Sequence, residues 1–70
     1  MDKNKAKLVL TETVMGYRCR YWTYPEGECW FDVNEGLILS GAESSLTRAK
    51  ITVRGAIKSV KAYFRSQKGQ

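Results

Sequence analysis

The hydrophobic pattern changes period once along the chain. From Lys7 to Val33, apolar and polar side chains alternate with the two-residue period of strands. From Leu46 to Phe64, apolar residues recur at the three- and four-residue intervals of a helix. Lys7 to Val14, rich in Val, Leu and Thr, reads as a first strand with Leu8 and Leu10 on one face. Met15-Gly16 reads as a tight turn. In the strand that follows, Gly16 to Tyr24, Tyr17, Cys19 and Tyr21 face one way and Arg18, Arg20, Trp22 and Tyr24 the other. Pro25-Glu26-Gly27 is turn chemistry, because proline presets φ and glycine accepts positive φ. Cys29 to Val33 alternates again, with Cys29, Phe31 and Val33 set against Trp30 and Asp32. After a second turn at Asn34-Glu35-Gly36, Leu37 to Ser40 is either a fourth strand or an extended lead into the helix.

Parity fixes the hairpin register. Pairing Tyr24 with Glu28 places Trp22 opposite Trp30 and Arg20 opposite Asp32, an aromatic pair and an ion pair on one face. A one-residue slip would mix charged and apolar faces. The same register sets Cys19 opposite Val33 and Cys29 opposite Thr23, so the thiols share a face without being neighbours.

Ser40-Gly41 is expected to break the strand, and Ser44 or Ser45 to cap a helix spanning Ser45 to Phe64. Its stripe of Leu46, Ala49, Val53, Ala56, Ile57, Val60, Tyr63 and Phe64 is expected to cover Leu8, Leu10, Tyr17, Cys19, Tyr21, Phe31 and Val33 of the sheet. The fold class is therefore α+β: a small two-layer domain with a three- or four-stranded antiparallel sheet followed by one long amphipathic helix. Residues 1–70 make one domain, with polar tails expected to fray at 1–6 and 66–70.

Charge sharpens the picture. Residues 1–43 carry five basic side chains and all seven acids, whereas residues 44–70 carry seven basic side chains and no acid. This asymmetry suggests an acidic partner for the C-terminal element, whether nucleic acid, an acidic protein surface or anionic lipid. Lys50, Arg54, Lys58, Lys61 and Arg65 fall within one sector of about 80° on the helix, a candidate phosphate-contacting ridge. Arg18, Arg20, Trp22, Tyr24 and Trp30 share the sheet face that one helix leaves open. Aromatics interleaved with arginine suit base stacking and protein hot spots alike.

Catalysis finds little support. The chain has no histidine, no glycine-rich phosphate loop and no acid pair in a catalytic setting. Two cysteines without histidine do not make a structural zinc site, so no metal or cofactor is expected. No apolar run approaches the length of a membrane span, and the polar start, MDKNKAK, does not read as a signal peptide. The expected compartment is the cytoplasm. A small-residue strip (Ile51, Gly55, Ser59, Ala62) and the open aromatic face also suggest a homodimer.

In element order, Gly16 to Phe64 resembles the amino-terminal arm-binding domain of tyrosine recombinases, which sets a three-stranded sheet against DNA. That resemblance implies Arg18, Arg20 and Trp22 at the DNA. The same stretch also resembles the partial RNase-H-type fold of HicB-like antitoxins, which implies a protein partner. Small basic phage and prophage proteins share this general shape. The leading expectation is a non-enzymatic, phage-type nucleic-acid-binding accessory protein. The alternative is a protein–protein interaction module, either a phage-type inhibitor or an antitoxin-like partner.

Overall fold

The computed structural model describes residues 5–68. Four strands, β1 (Lys7–Val14), β2 (Tyr17–Thr23), β3 (Cys29–Val33) and β4 (Leu39–Glu43), form one antiparallel sheet in chain order. A single helix, α1 (Leu46–Lys68), follows and lies on one face against β2, β3 and β4. The tails expected at 1–6 and 66–70 lie outside the described residues at 1–4, 69 and 70, and the helix runs through 66–68.

The turns follow from their residues. Met15 and Gly16 both take positive φ (52° and 89°), the mirror-image turn whose twist matches that of the flanking strands. Gly27 (φ 94°) closes the second hairpin, where Tyr24 donates its N–H to the Glu28 carbonyl at 2.9 Å. The register beyond it is the expected one: Trp22 faces Trp30, Arg20 faces Asp32, Cys19 faces Val33 and Thr23 faces Cys29. Both cysteines are free and buried.

Three expectations fail, each for a physical reason. The β1–β2 register shifts between Leu8 and Leu10, a bulge at Val9. Leu10 therefore pairs with the buried Tyr21 on the helix side, whereas Leu8 pairs with Trp22 on the open side and is half exposed. Ser40-Gly41 does not break the strand; it lies inside β4, opposite Asp32 and Phe31. A Cβ on Gly41 would stand 3.1 Å from Phe31 Cζ, so the glycine makes room for the ring. The helix also ends four residues later than Phe64, and its apolar stripe outruns the sheet. Among the described side chains of the helix only Ala49, Val53 and Ile57 are fully buried, while Tyr63 and Phe64 stand at least half exposed. Length explains this, since 23 helical residues span about 35 Å and five-residue strands such as β3 and β4 about 17 Å.

The core joins Cys19, Tyr21, Cys29, Phe31 and Val33 of the sheet to Ala49, Val53 and Ile57 of the helix. The helix start is pinned twice. Ser45 Oγ accepts the Arg48 N–H at 3.3 Å, and Thr52 Oγ1 donates to Glu43 Oε2 at 2.8 Å. One polar atom of the core, Tyr21 Oη, is buried without a hydrogen-bond partner.

Two predictions follow from this packing. Gly41→Ala should lower the free energy of unfolding by about 1–2 kcal/mol, because Phe31 must shift to admit the methyl group. Gly55→Ala, in open space on the helix, should raise it by about 0.5–1 kcal/mol. Equilibrium urea unfolding of both variants checks the contrast.

Stability should also fall in alkali. Burial pushes the Cys19 and Cys29 thiols above their ordinary 9.0, with the Glu12 charge adding to the rise at Cys19. Burial, with the Glu12 charge adding to it, also pushes the Tyr21 phenol well above its ordinary 10.0. On raising the pH the unfolded chain loses these protons first, so the folded state binds more protons and stability drops from about pH 9 upward. Urea midpoints between pH 7 and pH 11 read this out. Tyr21→Phe should flatten the part of the fall above pH 10 and cost nothing at pH 7, since it removes an unsatisfied hydroxyl.

Candidate interaction surfaces

The open face of the sheet is built as rows of cross-strand neighbours. One row runs Leu8–Trp22–Trp30–Ala42 and the next Thr11–Arg20–Asp32–Ser40. Alternation thus brings Arg18, Arg20, Trp22 and Trp30 to one side, as expected. Their environment is more enclosed than a bare sheet face. Trp22 and Trp30 are half-buried, and Tyr24, expected in solvent, is only 6% exposed. Ala6, from the segment before β1, joins Trp22, Tyr24, Trp30 and Asp32 around a cleft of about 280 Å³.

Arg20 is held on this face. It donates from Nε to Asp32 Oδ1 at 3.0 Å and from Nη2 to Asp32 Oδ2 at 2.7 Å, while its guanidinium lies 4.9 Å from the Trp22 ring centre. The hydrogen bond to Asp32 pushes the already high Arg20 pKa higher still. Arg18 is freer. Its side chain is 64% exposed and approaches Glu35 at 3.7 Å, and its backbone N–H donates to Asn34 Oδ1 at 3.0 Å.

The helix flank is divided in the same way. Arg54 donates from Nη2 to Glu12 Oε1 at 2.9 Å, and Lys61 donates to the Met15 carbonyl at 3.1 Å beneath the Tyr17 ring. Both side chains bind the helix to β1 and its turn. Lys58 and Arg65 are exposed, and Lys50 is partly covered. Because the helix covers the inner face, its flank and the Arg/Trp face lie on opposite sides of the sheet. The expected residues therefore form two separate surfaces.

A third surface lies at the end of the sheet that α1 overruns. Leu37, Ile38, Ser59, Val60, Tyr63 and Phe64 line an apolar groove of about 350 Å³. Leu37 is 88% exposed, the most exposed of the large apolar side chains, and the Tyr63 and Phe64 rings meet edge to face at 5.7 Å. Phe64 also borders a second hollow of about 270 Å³ with Tyr17, Lys61 and Arg65. Periodicity assigns Tyr63 and Phe64 to the core and Leu37 to a fourth strand or a lead into the helix, whereas β4 begins at Leu39 and Leu37 stands in the turn before it. Comparing helix length with strand length would have exposed the first error. Leu37 carried a weaker signal: an apolar residue directly after a turn.

Among the described residues no cluster of three or more His, Cys, Asp or Glu could hold a metal ion, and no helix is long and apolar enough to cross a membrane. No protein-family model, no curated protein and no solved structure matches the chain.

Removing one partner of the Arg20–Asp32 pair should do more harm than removing both. Asp32→Ala leaves a partly covered guanidinium without its carboxylate, whereas Arg20→Met with Asp32→Leu substitutes apolar contact for the pair. Thermal melts should rank wild type and the double variant above Asp32→Ala. The reverse order would show that the pair does not fix this face.

Proposed function

We propose that this protein is a non-enzymatic interaction module that binds another protein. One observation carries the reading. A small basic chain holds Leu37, Tyr63 and Phe64 in solvent at one end of its helix, where its own sheet is too short to cover them. Large apolar side chains grouped at a rim of cations are the composition of a protein-binding patch. Two free, buried thiols suit a reducing compartment, which supports a cytoplasmic setting. Burial that raises both thiols also suits packing better than nucleophilic chemistry.

Nucleic-acid binding is the second reading. The acid-free helix favours it, with Lys58 and Arg65 exposed on one flank. It ranks second because Arg20, Arg54 and Lys61 already have partners within the fold. The expected outcome is that labelled DNA and RNA of mixed sequence show no saturable binding at about 50 mM salt. A protein partner captured after nuclease treatment should be lost with Phe64→Ala. Salt-dependent nucleic-acid binding that Lys58→Glu with Arg65→Glu abolishes would replace this reading with the second.

A further inference from the structure

The overrunning end of the helix is more specific than a generic sticky patch. Its two hollows share one wall, Phe64, and differ in character. The groove on the Leu37 side is apolar, and the hollow on the Tyr17 side carries the ammonium of Lys61 and the guanidinium of Arg65. Among the described residues no carboxylate lines either hollow. A ligand seated across Phe64 would meet an apolar site and a cationic site side by side.

Backbone strain supports a binding role for the groove. Asn34, Glu35 and Gly36 take positive φ in succession (51°, 58° and 89°), and two of them carry a Cβ that disfavours it. Local bonds hold this turn closed, with Leu37 N–H donating to the Asn34 carbonyl at 3.1 Å and Ile38 N–H to the Val33 carbonyl at 3.3 Å. The result is an apolar side chain presented to water at the groove's edge by a strained segment.

The geometry points to an acidic amphipathic segment of another protein as the occupant, with an apolar anchor between Leu37, Val60, Tyr63 and Phe64 and a carboxylate on the exposed Arg65, beside the Lys61 ammonium that serves the Met15 carbonyl. This rests on the protein-binding reading and specifies its partner chemistry. A second copy fits poorly. Two-fold pairing would oppose Lys58, Lys61 and Arg65 to themselves. The chain's own acidic end, Glu26, Glu28 and Glu43 around Ala42 and Ser44, offers no large apolar anchor. An anionic membrane is the competing occupant, and the test includes it.

The test uses the full chain, isotope-labelled, with three designed helical peptides carrying Leu at i, i+3, i+4 and i+7 and flanks of Glu, Gln or Lys. The expected result is saturable binding of the Glu peptide, with the largest shifts at Leu37, Val60, Tyr63 and Phe64. Affinity should fall at least about tenfold with Phe64→Ala, with Leu37→Ser and with Arg65→Glu. Leu37 and Phe64 lie outside the buried core, and a thermal melt of each variant confirms its folding. Equal binding of the Gln or Lys peptide would overturn the acidic partner and leave the protein-binding reading intact. Shifts at these residues with phosphatidylserine vesicles or an oligonucleotide, and with no peptide, would overturn both. No shift with any probe would overturn the docking site.

Discussion

Ala49, Val53 and Ile57 are the only described helix side chains that reach full burial, and they close against Cys19, Tyr21, Cys29, Phe31 and Val33. Everything else in the fold is arranged around that short seam. It fixes which face of the sheet is covered, and so which side chains must find another environment. It also fixes how far along the helix packing can run. Beyond Val60 no described helix side chain is fully buried, although Tyr17 of β2 still borders Phe64, and a stripe that began as core continues as surface.

The uncovered face shows how a small domain manages with one helix. Its aromatics form a row with Leu8 and Ala42, and its charges form another with Thr11 and Ser40, so that each row is completed across four strands. Arg20 joins the two rows by binding Asp32 while lying over Trp22. The bulge at Val9 makes this possible by turning Leu8 toward Trp22 instead of toward the helix. A residue that periodicity assigned to the core thus lies on the opposite face.

The legible part of the fold was the part encoded by neighbours in sequence. Alternation from Tyr17 to Val33 and the Pro25-Glu26-Gly27 turn were enough to set the β2–β3 register residue by residue. Leu8-Val9-Leu10 fits a regular strand and a bulged one equally well, and only pairing with β2 decides between them. Gly41 looks like a strand breaker until the Phe31 ring above it is known. The candidate site suffered most. Which cations remain available depends on contacts such as Arg54 with Glu12, 42 positions apart, and no local pattern encodes such a pair. The arginine face follows from alternation, whereas the unforeseen groove follows from where elements end, which a periodicity does not contain.

The Val9 bulge has a further effect, on the sheet's exposed border. β1 is an outermost strand and, at eight residues, the longest in the sheet, so its free backbone groups would template pairing with another chain. The register shift interrupts that border after its second residue and adds local twist, leaving no long flat stretch to extend. The opposite border, β4, has only five residues with a glycine at their centre. Both rims of the sheet are thus poor seeds for the strand-to-strand stacking that leads to aggregation, in a chain whose helix leaves one rim of the layer uncovered.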